Sequence, residues 1–215
     1  DRVYGKDASR LSAASAEDVA PESINPVHRL WRPAPAGDAF VGEADRAFVL
    51  DRVGGPDDAT FIVSALADVP ASARDALPLD DAVEVDSIET LNRVTTERYL
   101  PALDALRDRV ERADPAVVES YGDVARPLRD FTPDRVAVVE PARCRVYDGE
   151  RYANACEVAT GSPIDGQLEE RVGDVTDLID PERTVSLPPL AADERSDPAR
   201  VAHAYAAAYD AVLDA

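Results

Sequence analysis

Lysine is almost missing from this chain: Lys6 is the only one, and every other basic side chain is Arg. Methionine is absent, histidine is limited to His28 and His203, tryptophan to Trp31, and cysteine to Cys144 and Cys156. Each scarcity excludes something. Two isolated cysteines make neither a disulfide framework nor a Cys-x-x-Cys pair, so a reduced compartment suffices and buried packing is their default. Neither histidine has a Cys or carboxylate at a zinc-ligand interval, which leaves structural or surface roles for both. No apolar run approaches the roughly 20 residues that span a bilayer, and no basic segment followed by an apolar stretch marks export. A cytoplasmic location without a membrane partner is therefore expected. With no methionine to serve as a start, the natural protein is expected to extend upstream of Asp1.

What is abundant is acid. Asp and Glu number 43 against 23 Lys and Arg, a formal net charge of −20 over 215 residues, which argues against nucleic acid as a partner. The hydrophobic fraction of 45% is that of a folded protein, so the charge belongs on a surface rather than in a disordered chain. Replacement of lysine by Asp, Glu, Arg and Ala fits a cytoplasm of molar salt, where the screening length falls to roughly 3 Å, as in a halophilic archaeon. A high-GC genome also favours Ala, Arg, Asp and Val, yet it does not explain the excess of acid.

The pattern along the chain predicts one α/β domain over 1–215, with an irregular, Pro-punctuated flank at 1–36 and a core at 37–215. Within the flank, Asp7–Ala16 reads as a short helix. Helical stretches are expected at Gly42–Val53, ended by Gly54-Gly55-Pro56, and at Ser87–Ala113, where Ile88, Leu91, Val94, Leu103, Leu106 and Val110 recur near helical spacing. Pro101 should start a new segment there or kink it. Strands are expected at Phe61–Leu66, Ala116–Glu119, Val136–Glu140 and Thr184–Leu187, while Asp81–Val85 is too charged for a strand. Tyr152–Thr160 and Pro198–Ala215 read as further helices. The alternation favours a three-layer, mostly parallel sheet with helices on both faces, and an α+β arrangement if the central strands run antiparallel.

Open parallel sheets bind ligands beyond the carboxyl ends of their strands. Glu119 and Asp123, separated by Gly122, fall just after a predicted strand, where carboxylates can hold Mg²⁺ through water or orient an attacking water near a phosphate. A strand-end Glu that caps or pairs with Arg is the plainer reading of the same spacing. The second place is Gly5-Lys6-Asp7-Ala8-Ser9-Arg10, at the start of a helix, where exposed backbone N–H groups favour anions. A lone lysine in a lysine-poor chain suits a position that needs a compact ammonium rather than a guanidinium, although a surviving surface lysine would look the same. Asp51 and Arg52 can reach a crevice or sit on a helix surface. Trp31, flanked by Arg29 and Arg32, reads as a loop anchor or a stacking platform. The loops at Gly54–Asp58 and Gly161–Gly166 are candidates to close over a ligand.

The Gly5–Leu11 string resembles the GKDS-x-R-x-x-x-A segment of the molybdopterin-guanine dinucleotide adaptor family of P-loop NTPases. Val117–Pro127 is similar to that family's strand ending in a Walker-B-like VEG-x-x-x-x-P, with Ser120 in place of the usual Gly. Related dethiobiotin-synthetase and cobyrinate-amidase-type enzymes place a functional glutamate at the same strand end. The stretch Ile24–Pro33 also resembles a segment of a haloarchaeal family described as predicted P-loop ATPase or GTPase.

This resemblance implies a P-loop NTPase-like fold that binds and hydrolyses ATP, or GTP, with Mg²⁺. Glu119 would hold the metal or position water, with Asp123 beside it. Lys6, Asp7, Ser9 and Arg10 would lie near the phosphates or a second substrate, with Gly122 at the turn. Glu140 and Pro141 would open a base-recognition loop; it lacks an NK-x-D signature, which favours ATP. No G-x-x-x-x-G-K-[ST] occurs in the chain, so the phosphate loop is expected upstream and these residues alone are not expected to hydrolyse nucleotide. Alternatives are a nucleotide-switch adaptor that binds a partner enzyme, and an ATP-dependent ligase acting on a small carboxylate. A homodimer is what the family implies.

Overall fold

Arg46–Val53 is buried from Ala47 onward, with apolar Ala47, Phe48, Val49, Leu50 and Val53 joined by the charged Asp51 and Arg52. Continuous burial is the mark of a strand covered on both faces, and in the structure, a computed structural model, this stretch is the central strand β2. Residues 5–15, 18–33, 46–120, 123–128, 130–159 and 170–213 are described. The chain divides into two compact units, 1–117 and 118–215.

In the first unit, helices α1 (Lys6–Ala14) and α2 (Pro21–Ile24) precede strand β1 (Val27–Pro33). After β2 come β3 (Thr60–Ser64), α3 (Ala71–Ala76) and β4 (Val83–Val85). A long helical run closes the unit: α4 (Ile88–Val94), a π turn (Thr95–Tyr99) and α5 (Leu100–Glu111). The sheet order is β1-β2-β3-β4, antiparallel except for the parallel pair β3–β4. Connection length dictates this. Only residues 54–59 join β2 to β3, too few for a crossover, whereas the stretch between β3 and β4 includes α3 and is long enough to return the chain parallel.

On one sheet face Phe48, Val53, Ile62 and Val85 pack against Val94 and Tyr99 of the helical run. On the other, Val49, Leu50 and Phe61 meet Val69, Leu77 and Leu79 from the β3–β4 connection. Burying a side chain such as Ile62 contributes about 1.5–3 kcal/mol. A bulge lies opposite Leu30/Trp31, where Leu30 pairs with Leu50 and Trp31 with Phe48, leaving Val49 as the extra residue.

The second unit holds an antiparallel sheet of order β5-β6-β7: β5 (Arg135–Glu140), β6 (Arg143–Asp148) and β7 (Arg183–Ser186). Helices α6 (Gly149–Ala159), α7 (Val172–Thr176), α8 (Pro198–Ala204) and α9 (Ala206–Leu213) complete it. Tyr147, Tyr152, Cys156 and Val175 form one cluster, and Cys144 and Val146 with Ala208 and Ala211 of α9 form another. The chain passes from β6 into α6 without a loop, and Gly149 makes this possible: a Cβ there would collide with the Pro133 carbonyl.

The α/β class is as expected, and the sheets are not mostly parallel among the described strands. Gly42–Val53 is not a helix: Arg46–Val53 is β2, and 42–45 lie outside the described residues. The supposed flank contributes an edge strand, β1, whose terminal Pro33 suits a sheet edge where a missing N–H goes unused. Ala116–Glu119 has no regular structure, and Val117 is 91% exposed. Val83–Val85 is a strand despite its charge, because Val85 is fully buried beside Ile62. Strand β6 was not expected, and the closing helix breaks at Tyr205 into α8 and α9. The run beginning at Ile88 is helical as expected, with Pro101 in the first turn of α5, directly after the π turn. Among the described residues no helix is long and apolar enough to cross a membrane.

Candidate functional site

The start of α1 is set by Gly5, whose extended backbone leads into the helix while its carbonyl accepts from Ser9 N at 3.2 Å. Asp7 in the first turn complements the positive helix end, and Ala8 is the side chain this helix buries. Lys6, Asp7 and Arg10 are exposed and Ser9 is half-buried. Asp7 and Arg10 lie 3.7 Å apart as an exposed pair, a contact of little energetic weight.

Gly5 faces the corner where α2 turns into β1. A Cβ on Gly5 would stand 3.7 Å from Asn25 Nδ2 and 3.8 Å from His28 Nδ1. That corner is held by hydrogen bonds. Arg52, 3% exposed, donates to the Asn25 carbonyl at 2.5 Å and to the Gly54 carbonyl, and Gly54 N donates to the Pro26 carbonyl at 2.9 Å. His28 stands opposite Arg52 in the β1–β2 register. Burial, helped by the Arg52 charge, pushes its imidazole below the ordinary histidine pKa, and Asp51 opposes this only in part. A neutral imidazole beside the entry to α1 can donate or accept a hydrogen bond at neutral pH. Behind it Asp51, fully buried, takes Arg29 through Nε at 2.8 Å and Nη2 at 2.6 Å, and accepts from the Tyr99 hydroxyl. Burial works against the Arg29 charge, yet the Asp51 bonds outweigh it and the guanidinium pKa rises; burial and then Asp51 raise that of Tyr99. Arg29 also lies 5.1 Å from the Trp31 ring and 5.0 Å from the Phe48 ring.

Other sequence-derived candidates lie in the second unit. Glu119 is exposed in a stretch without regular structure, and Ser120 Oγ donates to the Val124 carbonyl at 3.0 Å. Asp123 has a left-handed backbone, φ 68°, and its carboxylate lies 3.6 Å from Arg171. Gly122 lies outside the described residues. Glu140 and Pro141 begin a two-residue hairpin between β5 and β6, with Ala142 at φ 68°. There Glu140 accepts from Arg143 at 2.9 Å and from Arg145 at 2.7 Å, and these partners, Arg143 foremost, hold its carboxyl below the usual range. Its hydrogen bonds go to neighbours on the same hairpin.

The structure thus brings Gly5 together with Asn25 and His28, and it buries Asp51 and Arg52 as supports of β1 rather than helix-surface charges. His28 was set aside in the sequence as surface or structural; the signal that could have found it is the resemblance of Ile24–Pro33 to a family segment. His203 sits on α8, and both cysteines are buried. Loop 54–58 is a hydrogen-bonded turn, with Asp58 accepting from Gly55 N at 2.7 Å, and 161–166 lie outside the described residues.

Among the described residues no group of three His, Cys, Asp or Glu is placed to hold a metal ion. Mg²⁺ needs no such group, because it keeps several waters and takes one or two carboxylates together with substrate phosphates; exposed Glu119 fits that limited role. Nothing in the chain fits the phosphate cradle itself, which requires the glycine-rich loop. The chain matches no family model, no curated protein and no solved structure.

Proposed function

We propose that the protein containing this chain binds Mg²⁺-ATP and hydrolyses it, with the phosphate loop contributed from outside these 215 residues. The observation that carries the reading is the approach of Gly5 to Asn25 and His28, because it unites two sequence stretches that separately resemble P-loop NTPase segments. In this reading Lys6 and the first-turn N–H groups of α1 face an anion, with the neutral His28 imidazole beside them as a hydrogen-bonding partner. Asp7, Ser9 and Arg10 complete that end of the helix. Glu119 of the second unit, with Asp123 nearby in the chain, is the carboxylate that the resemblance offers for Mg²⁺. Of the described strand pairs the parallel β3–β4 pair fits the parallel sheet of such a fold, and the other four are antiparallel.

Calorimetry of Mg²⁺-ATP with the natural-length protein in molar KCl tests the reading. Binding is expected, with Lys6→Ala weakening it about tenfold, the loss of one charge-assisted contact. Glu119→Gln is expected to slow turnover far more than it changes affinity. Absence of binding removes the proposal. Tight binding without turnover in the unaltered protein turns the reading to a nucleotide-switch adaptor.

A further inference from the structure

The first unit contains a cleft of about 370 Å³ that no step above uses. It lies between the turn after α2, the β2–β3 turn, and the face of the helical run from the π turn into α5. Its volume falls at the small end of the range for metabolite sites, roughly 300–1,000 Å³. Its apolar lining comes from Val53, Pro26, Ala102, Ala105 and Leu106.

Charge is divided between its walls. The helical wall presents Arg98 and Arg109, eleven positions apart and so on one face of the run, about 16 Å from end to end at helical rise. The other wall presents Glu22 and Asp58. Both of these carboxylates act on the Arg52 charge, which locates them around one buried guanidinium. Among the described residues neither forms an ion pair, and Asp58 accepts one hydrogen bond, from Gly55 N, so both keep acceptor capacity. Glu97, also in the lining, is already paired with Arg93 at 3.2 Å. Arg109 donates one bond to the Ser23 carbonyl at 2.8 Å, which ties α5 to α2 and leaves other guanidinium donors over. Among the described residues no ion pair joins Arg98 or Arg109 to Glu22 or Asp58. Arg98, Arg109 and Asp58 are exposed and hydrated, and a molecule carrying both signs exchanges that water for charge-assisted hydrogen bonds on both sides of the cleft.

We propose that this cleft binds a zwitterionic small molecule of the amino-acid class with an apolar side chain. Its carboxylate meets Arg98, its ammonium meets Glu22 and Asp58, and its apolar part lies on Ala102, Ala105 and Leu106. Arg98 and Tyr99 are neighbours in the π turn, with Tyr99 bonded inward to Asp51 and Arg98 lining the cleft. This proposal is independent of the nucleotide reading, since it concerns a different set of residues.

The test is calorimetry of the full chain with L-leucine, and with two molecules that each keep one of its charges, isocaproate and isoamylamine. L-leucine is expected to bind, and each single-charge molecule to bind at least about tenfold more weakly. Arg98→Ala and Glu22→Gln should each weaken L-leucine about tenfold, and Leu106→Trp, which fills the cleft, should abolish binding; thermal unfolding of each variant confirms that it is folded. Three results would overturn the proposal. They are no heat with L-leucine, equal binding by either single-charge molecule, or unchanged affinity in a folded Leu106→Trp protein.

Discussion

Both units contain a carboxylate bonded by arginine, and the two arrangements differ in how much water they exclude. In the first unit Asp51 is fully buried and Arg29 bonds it through two nitrogens, with Tyr99 as a third partner. In the second, Glu140 takes Arg143 and Arg145 on a hairpin where the Arg143 side chain is 54% exposed. The residue types are the same and the consequences are not. Water competes with Arg143 and reaches Glu140, 28% exposed against 0% for Asp51, so removing Arg143 leaves the carboxylate hydrated. Asp51 is fully buried, so no water replaces a lost Arg29, and loss of Asp51 leaves the buried Tyr99 hydroxyl and the Arg29 guanidinium, 26% exposed, without their acceptor. An intermediate case is Arg126, mostly buried between the exposed Glu157 at 2.5 Å and the buried Glu170 at 3.0 Å.

The largest effect should follow removal of the buried carboxylate. Asp51→Ala is expected to destabilise the first unit by about 3–5 kcal/mol, read by urea unfolding with Trp31 fluorescence. Equal stability would mean that this pair is as hydrated as the one on the hairpin. Next, Gly149→Ala should cost about 2–4 kcal/mol in the second unit, because the new methyl collides with the Pro133 carbonyl and the α6 start must shift. Tyr99→Phe removes one hydrogen bond to Asp51 and keeps the ring, so a loss of about 1–3 kcal/mol is expected from the same urea experiment.

The Cys156 thiol sets a pH dependence. Burial, only partly offset by Arg126, pushes it up to about 11 from an ordinary value of 9.0. A raised folded-state pKa means that the unfolded chain loses the proton first. The stabilisation is complete below about pH 9 and is lost as pH rises toward 11, by about 1.4 kcal/mol per unit. Cys156→Ala should reduce the fall in stability across that window. The smallest effect belongs to the hairpin: in Arg143→Ala the Glu140 carboxyl should titrate closer to the usual carboxylate range, readable by NMR, with its remaining partner Arg145 limiting the change.

Elements with strong local signals were legible in the sequence. The Ile88–Val110 stripe is helical, and the apolar run at Phe61 is a strand. Strand β1 was obscured because Pro26 and Pro33 bracket it, and proline reads as loop until an edge position makes its missing N–H harmless. Strand β2 was mistaken for a helix because Asp51 and Arg52 break the apolar run with charges that only buried partners can accommodate. Ala116–Val118 has the composition of a strand without pairing as one, which shows that valine content needs a neighbouring strand to become structure. In the candidate site Lys6 stood out through its rarity. His28 did not, because its neighbour Gly5 is separated from it by α1 and α2.

The sequence by itself determined the acidic surface, the near-exclusive use of arginine, the α/β class, and the small-residue start of α1. These follow from solvation and from preferences expressed within a few residues along the chain. Only the tertiary structure decided the direction of strand pairing, the burial of Asp51 with Arg29 and Tyr99, and the meeting of Gly5 with Asn25 and His28. Partners 22 and 48 positions apart are chosen by connection lengths and by which apolar faces close over them, neither of which is encoded in any one segment.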